Sequence, residues 1–490
     1  LNKKVLYVLL VPFLLFYCLP VQALEKEERL WQDETVYSIL VDRFFNGDSK
    51  NDNKVNTQDL YAYNGGDFQG IIDKLDYLKE LGFTTISLSS IFDNEENSYQ
   101  GQKVIDYYKT EEHFGSLNTF KKLVKEAHKR DLKIMIEFVA DSVSAKHAWT
   151  KDATKKNWLM ENTKLNYSNP EVQKYVVDVA KWWINETNID GYYINNVMDV
   201  PQEFWMEFSK EIKAVKTDFF IVGNTSSKQL NQTATYQKFG FDGMVNSPLI
   251  SFQRDAFSKV DVNMNAALKT TEESIEIYED SNQNATVLDD QLLPRFTRDI
   301  VDHKQNPGTR WKLALTYSYT TPGIPFIFYG SEIALDGGDV PDNNRLMGFK
   351  ADKELIDYMT KLGELRQQLP ALTRGTFELL FQEDGLAVYK RMYKNEVIVV
   401  VINNTSKTQN VTLSSELIEN NKELRGLLAG DLVREDDRKY EIVIDREKAE
   451  IYALADKTGI KIGYISAIIA VWVVFALFIF LVMKRSNRNS

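Results

Sequence analysis

Between Glu34 and Leu369 short apolar runs alternate with amphipathic helical stripes, and this alternation restricts the chain to a parallel sheet with helices packed against it. Strands are expected at Val36–Leu40, Thr84–Leu88, Leu132–Phe138, Gly191–Ile194, Phe219–Val222 and Gly243–Val245. Helices are expected at Phe68–Leu81, Leu117–Lys129, Glu171–Ile184 and Glu203–Val215. The first of these sets Phe68, Ile71, Ile72, Leu75, Leu78 and Leu81 on one face and stops at Gly82. The spacing of these units suits a closed (β/α)8 barrel over residues 31–369, with a short insertion at 144–166. An open doubly wound sheet is the rival, but no glycine-rich phosphate loop follows the first strand to support it. The polar stretch Asp261–Ala285 is expected to form a helix and loop on the barrel side.

After Leu369 the pattern changes. Phe377–Leu380, Leu386–Tyr393, Val397–Ile402, Val411–Leu413 and Glu441–Ile444 are short strands broken by turns such as Glu383-Asp384-Gly385. No helical period intervenes, so residues 373–455 are expected to form a C-terminal all-β sandwich.

The two ends suggest export and anchoring. Lys3-Lys4, the apolar run Val5–Leu19 and the small-residue exit at Val21-Gln22-Ala23 match a secretory signal over residues 1–23. Ile462–Met483 is apolar apart from Gly463, Tyr464 and Ser466, and a helix of that length crosses about 30 Å of hydrocarbon. Lys484, Arg485 and Arg488 follow it. This pattern predicts a single-pass cell-membrane protein, with a transmembrane helix at 462–483, a cytoplasmic tail at 484–490 and the bulk of the chain outside. The formal charge of −11 then belongs to the ectodomain, which argues against nucleic acid as a partner. The one cysteine, Cys18, falls in the signal, so disulfides are not expected to stabilise the remainder.

A set of ordered motifs resembles the α-amylase family, retaining glycoside hydrolases with an (α/β)8 barrel and a C-terminal β-sandwich. The motifs are Asp42-Arg43-Phe44 with Asn46-Gly47-Asp48; Gly65-Gly66-Asp67-Phe68-Gln69-Gly70; Asp106-Tyr107-Tyr108 running to His113-Phe114-Gly115; Asp190-Gly191-Tyr192; Thr321-Pro322-Gly323-Ile324-Pro325 to Tyr329-Gly330-Ser331-Glu332; and Asn344-Arg345. The resemblance covers roughly residues 31–455. It implies a nucleophilic carboxylate, a proton-donating carboxyl and a third carboxylate at the barrel mouth.

Those positions fall on other side chains here. The nucleophile motif reads Asp190-Gly191-Tyr192-Tyr193-Ile194-Asn195, so Asn195 replaces the carboxylate and Tyr193 the arginine that orients it. The acid's Gly-Glu pair is Gly223-Asn224. Aligning the third motif on Arg295-Phe296 puts Gln291 at a histidine position and Leu292 at the carboxylate, whereas a competing alignment on Thr297-Arg298-Asp299 supplies Asp299. The family's sugar-contacting Tyr-His-Gly-Tyr is Tyr99-Gln100-Gly101-Gln102, and its Asp-x-Val-x-Asn-His is Glu137-Phe138-Val139-Ala140-Asp141-Ser142. An amide is a poor nucleophile and has no proton to give, and leucine supplies neither function. The expectation drawn from this is a membrane-anchored, non-catalytic relative that binds glycan or a cell-surface protein. The alternative is an active α-glucan hydrolase or transglycosylase.

The resemblance also implies one ion site. Asn46, Asp48, Asn51 and Asp52, joined by the Gly65 carbonyl and Asp67, match a calcium-binding loop, and grouped oxygen ligands suit Ca²⁺. A polar surface turn is the plainer reading of the same residues.

Overall fold

The computed structural model describes residues 28–350, 353–457, 469–477 and 479. Its central element is a ring of eight parallel strands: β1 (Val36–Ile39), β2 (Thr85–Leu88), β3 (Lys133–Glu137), β4 (Gly191–Ile194), β5 (Phe220–Gly223), β6 (Gly243–Met244), β7 (Ala285–Val287) and β8 (Ile324–Phe328). The spatial order is β6-β5-β4-β3-β2-β1-β8-β7, every neighbour parallel. A parallel bridge between Val245 and Ala285 joins the two remaining edges and closes the barrel. Strands buried on both faces need continuous apolar runs, and β8 meets this with Ile-Pro-Phe-Ile-Phe, all five residues buried.

Several of the helices outside the ring begin with a side-chain cap and present one apolar stripe. Asp67 accepts the Gly70 amide (2.6 Å) at the start of Phe68–Glu80, which buries Phe68, Ile71, Leu75 and Leu78. Ser116 and Asn169 cap Leu117–His128 and Pro170–Thr187 in the same way, the latter with Pro170 in its first turn and Asn188 left-handed at its end. The stretch Asp261–Ala285 contains the helix Asn265–Ile277 followed by a 3-10 turn at Ser281–Gln283.

The C-terminal part is an antiparallel module. Its larger sheet runs Thr376–Glu383, Leu386–Tyr393, Glu396–Asn403, Lys448–Asp456, Lys422–Gly426, Leu432–Arg434 in spatial order. The smaller pairs Gln409–Ser414 with Lys439–Ile444. Val388, Val399, Val401, Val411, Leu413, Tyr440 and Ile442 form a core of their own between the two sheets.

The seam between barrel and sandwich is polar but closed. The Asn404 amide donates to the carbonyls of Ala256 (2.8 Å) and the half-buried Val262 (2.9 Å), and its Oδ1 accepts from Arg310 (2.5 Å); Asn404, Ala256 and Arg310 are buried. Among the described residues Arg391 meets no carboxylate acceptor: it donates to the carbonyls of Thr376 (2.9 Å), Thr320 (2.5 Å) and Gly375 (3.0 Å) and to the Asn282 side-chain oxygen (3.3 Å). Burial pulls its guanidinium down to about 9.

One expectation fails here. Among the described residues, no helix is long and apolar enough to cross a membrane. Within the stretch 462–483 the described helix covers 469–477 and residue 479, whereas a span needs about 20 residues in one continuous helix. An apolar run read from sequence satisfies the composition of a span, but among the described residues no helix of that length accompanies it. The rest of the stretch, the tail 484–490 and the signal segment 1–23 lie outside the described residues. The single-pass topology, the cell-membrane location and the C-terminal helix as a membrane partner are therefore not supported.

Asn404→Ala strips donors from two carbonyls at the seam and an acceptor from Arg310. The expected loss is about 3 kcal/mol in urea unfolding of the full chain, and a loss below about 1 kcal/mol would show that the seam does not depend on it.

Candidate active site

The C-terminal ends of the barrel strands carry a cavity lined by Glu137, Tyr193, Asn195, Asp289, Asp290, Gln291 and Leu292 over an apolar floor that includes Leu88, Phe326 and Phe328. Strand alternation explains the split. Residues inside the ring are apolar, and the first residues beyond each strand end are free to be polar.

Glu137, the last residue of β3, occupies the centre of this rim and is 3% exposed. Its carboxylate accepts from Gln102 Nε2 (2.9 Å), from Gln291 Nε2 (3.1 Å to Oε2) and from Asn195 Nδ2, as well as from the backbone at Ser90. The donors do not stop at the first layer. Asn224 Nδ2 donates to Asn195 Oδ1 (3.0 Å), and Ser247 Oγ donates to Asn224 Oδ1 (3.3 Å). A one-way chain of hydrogen bonds thus runs round the rim from the end of β6 to the carboxylate on β3. Burial raises the Glu137 pKa, and the amide donors oppose that rise.

Two further carboxyls sit on the loop after β7. Asp289 is buried. It accepts the Phe296 amide (2.6 Å) at the head of the helix Phe296–Asp302 and faces Arg254 (3.4 Å) and Arg295 (3.8 Å). Asp290 is half-buried, with Oδ1 accepting the amides of Leu292 (2.7 Å) and Leu293 (2.8 Å). Burial raises both pKa values. The Tyr193 phenol is held neutral by burial and by the charges of Asp290 and Glu137.

The structure thus brings Gln102, Glu137, Tyr193, Asn195, Asn224 and Gln291 into one network. Gln100 is tied to its edge, donating to the Gln291 carbonyl (3.2 Å). Leu292 lines the cavity but turns outward, 57% exposed. Ser142 donates to Asp141 (3.2 Å) and lies outside the cavity lining. Asp299, the product of the competing alignment, pairs with Arg254 (2.8 Å) and also lies outside that lining. Sequence reasoning quoted Glu137 in an altered motif but placed neither it nor Asp290 in the site. The available signal was that Glu137 ends a dense strand.

The loop singled out for calcium is tightly built. A Cβ at Gly66 would lie 2.1 Å from the Val41 carbonyl, and one at Gly70 would lie 1.8 Å from that of Phe45, which explains the glycines of that motif. Asp67 accepts from Gly47 N (3.1 Å), Asp48 N (2.8 Å), Asn51 Nδ2 (3.4 Å) and Gly70 N (2.6 Å). Asn46 Nδ2 donates to Asp52 (2.9 Å), and Asn51 Oδ1 is buried without a partner. Among the described residues no group of three or more His, Cys, Asp and Glu is arranged to hold a metal ion.

A closed eight-stranded barrel with its polar groups gathered at the strand ends, followed by an all-β module, is the architecture of a barrel enzyme with its site on the C-terminal face. Residues 38–162 and 156–364 match the model of the α-amylase catalytic domain, and residues 375–452 match that of the α-amylase C-terminal domain. The chain belongs to the α-amylase family. A solved α-amylase from Anoxybacillus is 51% identical with a TM-score of 0.86, the match covering 88% of this chain and 100% of that one. The α-amylase from Geobacillus thermoleovorans, solved with acarbose, is 46% identical with a TM-score of 0.85 and the same coverage, 88% and 100%. The β/α-amylase of Paenibacillus polymyxa is 28% identical over 86% of this chain, which spans only 38% of that protein.

These near-full-length matches overturn the expectation of a non-catalytic relative. That reading weighed three substituted side chains and set Glu137 aside as lying off the two strands that present the nucleophile and acid, whereas Glu137 and the half-buried Asp290 line the same cavity.

Asn195→Asp places a second carboxylate in hydrogen-bond contact with Glu137. Like charges raise the folded-state pKa of such a pair, so the stability it contributes is present at low pH and lost as pH rises. The variant is expected to lose about 1–3 kcal/mol more, relative to the native chain, at about pH 8 than at about pH 5. Thermal melts at both pH values check this, and an Asn195→Ala variant with the same trend would reject the charge explanation.

Proposed function

We propose that this protein is an α-glucan-acting enzyme, a hydrolase or transglycosylase working in the cavity at the C-terminal ends of the barrel strands. The observation that carries the reading is 51% and 46% identity to α-amylases over the whole length of those proteins. Likeness of fold alone supports no activity, but identity at this level over both domains covers the loops that shape the cavity as well as the scaffold. The acarbose bound to the Geobacillus thermoleovorans protein suggests the ligand class for this chain, an α-linked oligosaccharide. In this reading the family's carboxylate positions, held here by Asn195, Asn224 and Leu292, carry no acid or nucleophile, and the chemistry belongs to carboxyls elsewhere on the rim. Full-length protein incubated with maltodextrin, cyclodextrin and soluble starch is expected to give shorter or rearranged maltooligosaccharides, followed by reducing-end assay and chromatography. Unchanged substrate in all three, under conditions where a solved relative is active, would reject the proposal.

We also infer that the loop Asn46–Asp67 takes Ca²⁺. The residues fit the ion in kind: Asp48, Asp52, the partnerless Asn51 Oδ1 and the Gly65 carbonyl are hard oxygen donors. Asp67 orders the loop from behind, since its carboxylate already serves four N–H donors. At free Ca²⁺ about 100 times its Kd the folded state gains about 2.7 kcal/mol. The melting temperature is therefore expected to fall on chelation, to recover on adding Ca²⁺, and to lose this response in Asp48→Asn. An identical melt with chelator and with Ca²⁺ would exclude the ion.

A further inference from the structure

The amides at the family's nucleophile and acid positions leave open which groups do the chemistry. We propose that Glu137 and Asp290 form a relocated catalytic pair, Glu137 attacking the anomeric carbon and Asp290 protonating the departing oxygen. The inference rests on the α-glucan reading above.

Placement is the first argument. Glu137 and Asp290 line one cavity, together with Tyr193 and Asn195. The charges of both act on the Tyr193 phenol. Glu137 Oε1 is in hydrogen-bond contact with Asn195 Nδ2, so its carboxylate lies one hydrogen bond from the side chain at the family's nucleophile position. The extra methylene of glutamate, relative to the family's aspartate, extends the reach of β3 into the site.

The second argument is that the two carboxyls differ in which of their oxygens are already engaged by donors. Every partner of Glu137 is an N–H donor: Gln102, Asn195 and Gln291 side chains and the Ser90 backbone. A carboxylate accepts all of them, whereas a protonated acid would turn one O–H toward a donor. No lysine or arginine forms an ion pair with Glu137 among the described residues, so its negative charge is available to a cationic, oxocarbenium-like transition state. Asp290 is different. Both of its amide donors lie on Oδ1, and Oδ2 accepts no hydrogen bond among the described residues, which leaves that oxygen to hold a proton. Burial raises both carboxyls, and the charges of Arg254 and Arg295 oppose that rise at Asp290, so the division of roles rests on the free Oδ2 of Asp290 beside the fully engaged carboxylate of Glu137.

The steps balance. A Glu137 oxygen forms a bond to C1 as the C1–O bond to the leaving sugar breaks, and that oxygen takes the proton from Asp290 Oδ2. Water then attacks C1 of the glycosyl ester, the bond to Glu137 breaks, and the water's proton returns to Asp290. A sugar hydroxyl in place of water gives transfer instead of hydrolysis.

The test uses the full chain with maltotriose, with an aryl α-maltoside whose leaving group needs no proton, and with a 2-deoxy-2-fluoro α-glycosyl fluoride. Glu137→Gln is expected to lower kcat on both substrates by at least about 10²- to 10⁴-fold. Asp290→Asn is expected to lower it comparably on maltotriose and far less on the aryl glycoside. Native protein is expected to gain one fluoroglycosyl unit on the peptide containing Glu137, a readout that does not depend on how the variants fold. Native turnover that survives Glu137→Gln, or a label on another peptide, overturns the relocated pair and leaves the α-glucan reading standing. Absence of native turnover on maltotriose and the aryl glycoside, with no label, overturns both.

Discussion

Closing eight parallel strands into a ring buries every strand on both faces, and that constraint decides where polar chemistry can be placed in this molecule. Side chains inside the ring must be apolar or fully hydrogen-bonded, so charged groups collect beyond the strand ends. Glu137 tests the limit. It is the last residue of β3, it is almost wholly out of water, and an isolated carboxylate there would cost several kcal/mol. The rim answers with amide donors from three separate loops rather than with a cation. The result is an anion that is stabilised yet not neutralised.

The seam with the C-terminal module follows a related rule with the sign reversed. Arg391 and Arg366 are buried cations that donate mainly to carbonyls: Thr320, Gly375 and Thr376 for one, Tyr319, Leu372, Gln32 and Gly323 for the other. A guanidinium can use many carbonyls at once because its donors fan out in a plane. Burial lowers both, to about 9 and about 10, yet each remains charged at neutral pH. These residues join helix ends, a strand and the tight turn at Gly323, so the two modules share one hydrogen-bonded boundary instead of meeting across a linker.

Much of this architecture was legible from periodicity. The strand expected at 132–138 runs Lys133–Glu137, the helix expected at 117–129 runs Leu117–His128, and the sandwich strand expected at 386–393 has those limits. These elements have strong apolar periods and clear stops. β7, only Ala285–Val287, has too few residues to show any period, and Lys422–Gly426 and Leu432–Arg434 are short and charged, the latter at the sheet edge. Their pairing is a tertiary fact. Motif spacing located Asn195, Asn224 and Gln291, but a motif compares side chains position by position. It could not show that Glu137 reaches Asn195 from a neighbouring strand, because that contact joins residues 58 apart in sequence.

The amides at the rim have a physical logic once Glu137 is central. Had Asn195 and Asn224 both been carboxylates beside Glu137, three negative charges would have shared one low-dielectric site. Like-charge repulsion would then protonate some of them and rotate others away. An amide has nearly the shape of a carboxylate but offers donors on one side and an acceptor on the other. It can therefore pass a hydrogen bond along: Ser247 to Asn224, Asn224 to Asn195, Asn195 to Glu137. Each bond in such a chain polarises the next toward the carboxylate. The substitutions that make the nucleophile and acid positions look empty are, in this arrangement, what fixes the orientation of the remaining anion.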